Sequence, residues 1–257
     1  MPESPDRVVL VTGSTKGIGL ATARAFARTG AAVLVHGREV EVGEGIAAGL
    51  RASGGRADFI FADLLDPEAP ARIVAHAIAR FGRLDVLVNN AGANTFTGIM
   101  TTTLDDWDKA LNLDLRAAWL ATVAAAGVMS PGSAIINVSS NHSMATLPGV
   151  FPYNVAKAGM NALTQASALE LSPRGIRVNA LLPGYVDTPI NDAFFGSFPD
   201  PDAERKRVER LHPVGRIGTP DEIAEAIVFL ASPTCAFMTG TTMVIDGGRS
   251  ALLQDPA

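Results

Sequence analysis

Short, continuous apolar runs punctuate the whole chain. Each closes on a polar or glycine-rich turn and is followed by a longer stretch with apolar residues three and four apart. Val8-Val9-Leu10-Val11 is the first, and its lack of alternation predicts a parallel strand buried on both faces. Equivalent runs at 32–36, 57–61, 84–88, 134–138, 177–182 and 242–246 predict six more strands. Helical periodicity fills 20–28, 40–52, 67–81, 105–129, 153–171 and 220–231, and Pro173 stops the fifth of these. Residues 189–213 show little periodicity and read as a mixed loop, apart from a solvated amphipathic helix over 200–210. Strand and helix alternate without a linker or an internal repeat. That predicts one α/β domain over 1–257, a doubly wound parallel sheet of about seven strands with helices on both faces.

Composition narrows the class. Of the 257 residues 47% are apolar and 18% charged, as in a compact soluble domain. Lys and Arg number 21 against 26 Asp and Glu, so the net charge of −5 offers no basic footprint for nucleic acid. Cys235 is the only cysteine, which excludes an internal disulfide, and no metal-ligand cluster surrounds it. Met1-Pro2-Glu3-Ser4-Pro5-Asp6-Arg7 lacks the apolar core of a secretory signal, and the apolar run at 117–129 is too short to span a bilayer. A soluble, cytoplasmic protein is expected, with neither nucleic acid nor membrane as partner.

The chemistry gathers at the strand ends, where a sheet of this kind binds its ligands. Thr12-Gly13-Ser14-Thr15-Lys16-Gly17-Ile18-Gly19 joins the first strand to a helix, an arrangement that brings backbone N–H groups and a helix N-terminus up to a pyrophosphate. Gly37-Arg38 follows the second strand, Asp63-Leu64 the third, Asn89-Asn90-Ala91-Gly92 the fourth and Ser139-Ser140 the fifth. Pro183-Gly184-Tyr185-Val186-Asp187-Thr188 follows the sixth. Tyr153 and Lys157 stand four apart on one helix face. A fixed ammonium there is expected to pull a phenol pKa of about 10 toward the working range.

In this order and spacing the motifs resemble the short-chain dehydrogenase/reductase family in its single-domain, NAD(P)-dependent, Rossmann-like form, over residues 7–250. The resemblance implies a cofactor held by Gly13, Ser14, Thr15, Lys16, Gly17, Ile18 and Gly19, with Asp63 and Leu64 at the adenine and Asn90, Ala91 and Gly92 beside them. Pro183, Gly184, Val186 and Thr188 would meet the nicotinamide side. An acidic residue closing the second strand would select NAD(H). Here Gly37 and Arg38, with Lys16, favour NADP(H) and leave NAD(H) open, Glu39 being the counter-signal.

The family's catalytic serine corresponds to Ser140, thirteen residues before Tyr153, rather than to Ser139. Tyr153 would be the acid/base, and Lys157 would lower its pKa, both also touching the cofactor. The family's helix asparagine is replaced by Asp114, seven residues after Trp107, and this aspartate is expected to anchor a proton-relay water and stay charged beside a cation.

The implied reaction is hydride transfer between NADP(H) and a carbonyl or secondary alcohol of a small or medium organic substrate. An NAD-dependent sugar or polyol dehydrogenase is the alternative, and Asp114 prompts a third, a non-catalytic dinucleotide-binding regulator. Residues 189–213 would form a substrate-covering lid, with Phe194, Phe195 and Phe198 as an apolar wall. His142 could reach the substrate, although a loop histidine more commonly just meets solvent. Ala-rich helices over 117–129 and 156–171 would pair between subunits, giving a homo-oligomer, a tetramer.

Overall fold

The computed structural model describes residues 6–252. The ends of the 1–257 domain, including most of the amino-terminal stretch read above, lie outside the described residues. Seven parallel strands form one sheet: β1 (Val8–Val11), β2 (Ala32–Gly37), β3 (Ala57–Phe61), β4 (Val86–Asn89), β5 (Ala134–Val138), β6 (Arg177–Pro183) and β7 (Thr242–Ile245). Their order is β3-β2-β1-β4-β5-β6-β7. The order reverses between β1 and β4, where Val9 pairs with Val33 on one side and Val86 on the other. Loops leaving the strand ends diverge at that point and open a crevice.

Successive residues of β1 feed opposite cores, as the two-residue strand repeat requires. Val9 and Val11 join a cluster with α1 (Gly17–Arg28) and α9 (Pro220–Ala231). Val8 and Leu10 join one with α3 (Ala69–Phe81) and Met129. Every residue of β1, β2, β4 and β5 is buried, which explains why these runs are continuous. Helix α2 (Val40–Ala52) packs beside β3. A buried chain of amides stitches the centre: Asn89 Nδ2 donates to Asn137 Oδ1 at 2.8 Å and Asn137 Nδ2 to Thr164 Oγ1 at 2.8 Å. That chain ties β4 and β5 to α6 (Tyr153–Leu171), so the helix bearing Tyr153 is fixed to the sheet.

Two expectations need correction. The single helix over 105–129 is α4 (Leu104–Leu111), a π-turn at Asn112–Arg116 and α5 (Ala117–Val128). The wide turn holds an extra residue and changes the helical phase. Asp114 thereby faces inward and is buried, while α5 lays Ala117, Ala121 and Ala125 against the sheet. The mixed loop over 189–213 contains a helix that periodicity misses, α7 (Pro189–Phe195), as well as the expected α8 (Pro201–Arg210). Both start with proline at the first turn, where its missing N–H costs nothing. Phe195, Val208 and Ile217 form their small core, so Phe195 is structural rather than a cavity wall.

Candidate active site

The crevice is a cleft of about 1550 Å³ counting its open mouth, and the glycine turn, the ends of β2 to β6, the head of α6 and α7 line it. Gly13 has a φ of +63° and Gly17 one of +54°, conformations that side chains rarely adopt. A Cβ at Gly19 would lie 2.2 Å from Gly13 O and 2.5 Å from Asn90 Nδ2. The turn is therefore a cradle that no larger residue could form. Asn90 Nδ2 braces it, donating to Thr12 O at 2.9 Å and Gly13 O at 3.0 Å. Helix α1 begins here with no acidic residue in its first turn, so its positive end faces the cleft unopposed. These features fit a dinucleotide pyrophosphate.

Of the residues named from sequence, Gly13, Thr15, Lys16, Gly17, Ile18, Gly19, Arg38, Asp63, Leu64, Asn90, Ala91, Gly92, Pro183, Gly184, Val186 and Thr188 all line the cleft, together with Asp114, Ser140, Tyr153 and Lys157. Ser14 does not. It is fully buried, its hydroxyl donates to Val11 O at 2.8 Å, and it accepts from His36 N at 2.9 Å. Its side chain closes the turn from inside and cannot meet a ligand. Arg38 lies on the rim beyond β2; among the described residues its only ion pair is a loose 3.8 Å contact with Asp63, and Glu39 shares the same rim.

The reactive end is held from three elements. Ser139 Oγ donates to Lys157 O at 3.0 Å and is spent on structure. Ser140 Oγ accepts the His142 N–H at 3.2 Å and is bonded to the Tyr153 hydroxyl. Phe96 stands edge-on to Tyr153 with ring centres 5.2 Å apart, and Lys157 Nζ lies 5.5 Å from the Tyr153 ring centre. Lys157 Nζ also donates to Val138 O at 3.2 Å and forms an ion pair with Asp114 Oδ1 at 3.3 Å. The Ala93 N–H donates to the same carboxylate at 3.2 Å.

Electrostatics here differ from the sequence expectation. Burial raises the Tyr153 pKa above that of an ordinary phenol; Lys157 pulls it down, and Asp114 pushes it up again. Burial outweighs the ammonium, which is itself half of a buried ion pair, so the net direction is upward rather than downward. Burial also raises the Asp114 pKa, against the downward pull of Lys157, so the cation does not fully restore an ordinary carboxylate. Burial disfavours the Lys157 charge, yet Asp114 and Tyr153 raise its pKa overall.

His142, expected in solvent, stands in the cleft wall, edge-on to Phe96 at 6.3 Å and to Tyr153 at 6.4 Å. Burial, with Arg249 nearby, pushes its pKa down to about 4, so it is neutral near pH 7. Phe194 lines the cleft as the sequence suggests, and Phe96 and Tyr185, from the segments after β4 and β6, join it in an aromatic wall that sequence spacing did not reveal. Phe198 is partly exposed and touches Phe194 at 5.1 Å.

Known proteins resemble this chain along nearly its full length. A family model described as enoyl-(acyl carrier protein) reductase matches residues 13–250. The cis-4-hydroxycyclohexanecarboxylate dehydrogenase of Sinomonas cyclohexanicum is 38% identical over 96% of this chain and 98% of its own. The L-rhamnose 1-dehydrogenase (NAD(P)(+)) of Azotobacter vinelandii is 38% identical over 97% of this chain and 98% of its own. A crystal structure of a short chain dehydrogenase from Burkholderia cenocepacia in complex with NADP superposes with a TM-score of 0.88. It is 35% identical and covers 95% of this chain and 98% of that one.

Proposed function

Because the chain belongs to the short-chain dehydrogenase/reductase family of oxidoreductases, we propose that it is an NADP(H)-preferring enzyme interconverting a carbonyl and a secondary alcohol on a small or medium organic substrate with apolar, ring-sized bulk. The observation that carries this is the meeting of Ser140, Tyr153 and Lys157 in the same cleft as the glycine turn. Bound NADP(H) supplies or accepts the hydride. In reduction, Tyr153 gives its phenolic proton to the substrate oxygen. The Ser140 hydroxyl, held by the His142 N–H, donates a second hydrogen bond to that oxygen and stabilises the charge gathering there. Lys157, paired with Asp114, provides the cation beside the phenol.

The 2′-phosphate would meet Arg38 and Lys16, the cations at the adenine end of the cleft. Phe96, Tyr185 and Phe194 would meet the body of the substrate, and α7 and α8 would cover it. The rhamnose dehydrogenase relative supports a second reading, a sugar or polyol as substrate with either cofactor. We assign the protein to the cytoplasm; among the described residues no helix is long and apolar enough to cross a membrane. A homotetramer would cover Trp119 and Val123, one turn apart on α5, and Leu169 on α6, all exposed in the single chain. Light scattering at micromolar concentration should give four times the chain mass; a monomer would refute the assembly.

Loss of NADPH absorbance across cyclic ketones, aldehydes and sugars tests the whole reading. Turnover should be fastest with a cyclic ketone, and Tyr153→Phe should lower it by about 10²–10⁴-fold. A purified protein that binds NADPH but turns over none of these substrates would be a binder, and the catalytic proposal would fall.

A further inference from the structure

His36 is the next-to-last residue of β2, buried, at the floor of the cleft. Its main chain and Ser14 hold each other: Ser14 N donates to His36 O at 2.9 Å, and His36 N donates to Ser14 Oγ at 2.9 Å. The ring does more. Gly13 N donates to Nδ1 at 3.0 Å, and Nε2 lies 3.1 Å from Ala62 O. A carbonyl oxygen can only accept, so Nε2 carries the proton and Nδ1 is the bare acceptor. One side chain thus ties the end of β2 to the segments that follow β1 and β3.

We propose that His36 is a positioning residue that locks the glycine turn into its anion-receiving shape before the cofactor arrives. Its ring and its carbonyl take up the N–H groups of Gly13 and Ser14, the first two of the turn, and the lining of the cleft resumes at Thr15. Gly13, at a φ of +63°, has wide conformational freedom in an unliganded chain, and the bond to Nδ1 removes it. The ring must be neutral to accept that N–H, and burial keeps it so, moving its pKa down to about 4. Gly37 strengthens the same junction from the next position: a Cβ there would lie 2.5 Å from Thr15 Cγ2. A turn shaped in advance binds more tightly, because ordering is not charged against the ligand. His36 therefore acts on cofactor affinity and leaves the chemistry at Tyr153 alone.

The inference rests on the reading of the turn as the dinucleotide site, and the test separates the two. NADPH dissociation constants are measured by fluorescence titration, and Gly13 amide exchange in the cofactor-free protein by mass spectrometry or NMR. His36→Leu, which keeps bulk and loses both ring bonds, should weaken NADPH about tenfold with kcat at saturating NADPH within twofold of wild type. Its Gly13 amide should exchange faster. His36→Asn, whose Oδ1 can accept the Gly13 N–H, should recover most of the affinity and the protection. Folding is checked by far-UV circular dichroism. If His36→Leu does not fold, the wild-type Gly13 amide must still be protected without cofactor and His36→Asn must still bind NADPH within a few-fold; failure of either overturns the proposal. A folded His36→Leu that binds NADPH like wild type, or a His36→Asn no better than His36→Leu, overturns it as well. Wild-type protein that binds neither NADPH nor NADH overturns the dinucleotide reading instead.

Discussion

Replacing Asp114 by asparagine removes one buried negative charge and keeps the shape of the side chain. Asp114 is fully buried, and its carboxylate meets Lys157 at 3.3 Å. At an effective dielectric of 20, charges at that separation attract by about 5 kcal/mol, most of it offset by the cost of desolvating both. Lys157 then keeps a buried charge without its counter-ion, so global stability should fall by about 3–5 kcal/mol, although an asparagine Oδ1 can still accept the Ala93 N–H. The effect on Tyr153 is separate. The Lys157 Nζ lies 5.5 Å from the Tyr153 ring centre and 3.3 Å from Asp114 Oδ1, so the carboxylate is within about 9 Å of the ring. At that limit and the same dielectric its repulsion of a phenolate is about 1.8 kcal/mol, and it grows as the distance shortens.

The sign follows directly. A negative charge disfavours the phenolate, so losing it lowers the Tyr153 pKa. On the proposed mechanism Tyr153 must be ionised to accept the proton in alcohol oxidation, so kcat/KM should rise with pH as it ionises. Asp114→Asn should carry that rise toward acid while keeping most of the maximal rate. Because Tyr153, Lys157 and Asp114 titrate together, the apparent pKa belongs to the group, and the comparison is of whole profiles. Asp114→Ala should shift the profile similarly but lose substantially more rate, since Lys157 would then keep only its bond to Val138 O and the Ala93 N–H would lose its partner. Superimposable profiles for wild type and Asp114→Asn, or a shift toward base, would refute the reasoning.

Three further outcomes can be checked. Arg38→Ala should weaken NADPH binding by about 1.5–3 kcal/mol, the range for a charge-assisted bond, and leave NADH nearly unchanged; equal losses for both in parallel titrations would remove Arg38 from phosphate recognition. Gly92→Ala would place a Cβ 2.2 Å from Asp114 Oδ1 and 3.3 Å from Lys157 Nζ, so it should disrupt the ion pair and lower kcat at least tenfold; wild-type kcat would contradict the close packing there. Acid should destabilise the fold through His36, whose pKa falls from 6.5 unfolded to about 4 folded because it is buried. The contribution is complete above about pH 6.5, is lost as pH falls toward 4 and amounts to about 3 kcal/mol. Urea midpoints from pH 7 to 4 should fall less steeply in His36→Asn than in wild type; parallel lines would count against a neutral His36.

The strands and the cofactor turn are legible in the sequence because their constraints are local. A strand covered on both faces must be continuously apolar, as 8–11 and 134–138 are, and a turn that leaves no room for a Cβ at position 19 must carry glycine there. Most of the cleft wall is illegible for the opposite reason. Phe96, His142 and Tyr185 come together only through the sheet, and each alone is an ordinary residue between elements, whereas Phe194 is legible as a wall residue. Ser14 shows how a motif can mislead, since a hydroxyl among cradle residues turns inward once the His36 main chain offers it a partner.

Asp114 is the sharpest case. Counting from Trp107 locates it, but a straight helix carries no hint of the π-turn that aims it inward. Its role depends on a lysine from another helix and an N–H from another loop. Judged as a single residue, an aspartate in place of an amide looks like damage to a proton path. As half of a buried pair it sets how much of the Lys157 charge Tyr153 feels. For that reason its effect should appear in the pH at which the enzyme works more than in whether it works.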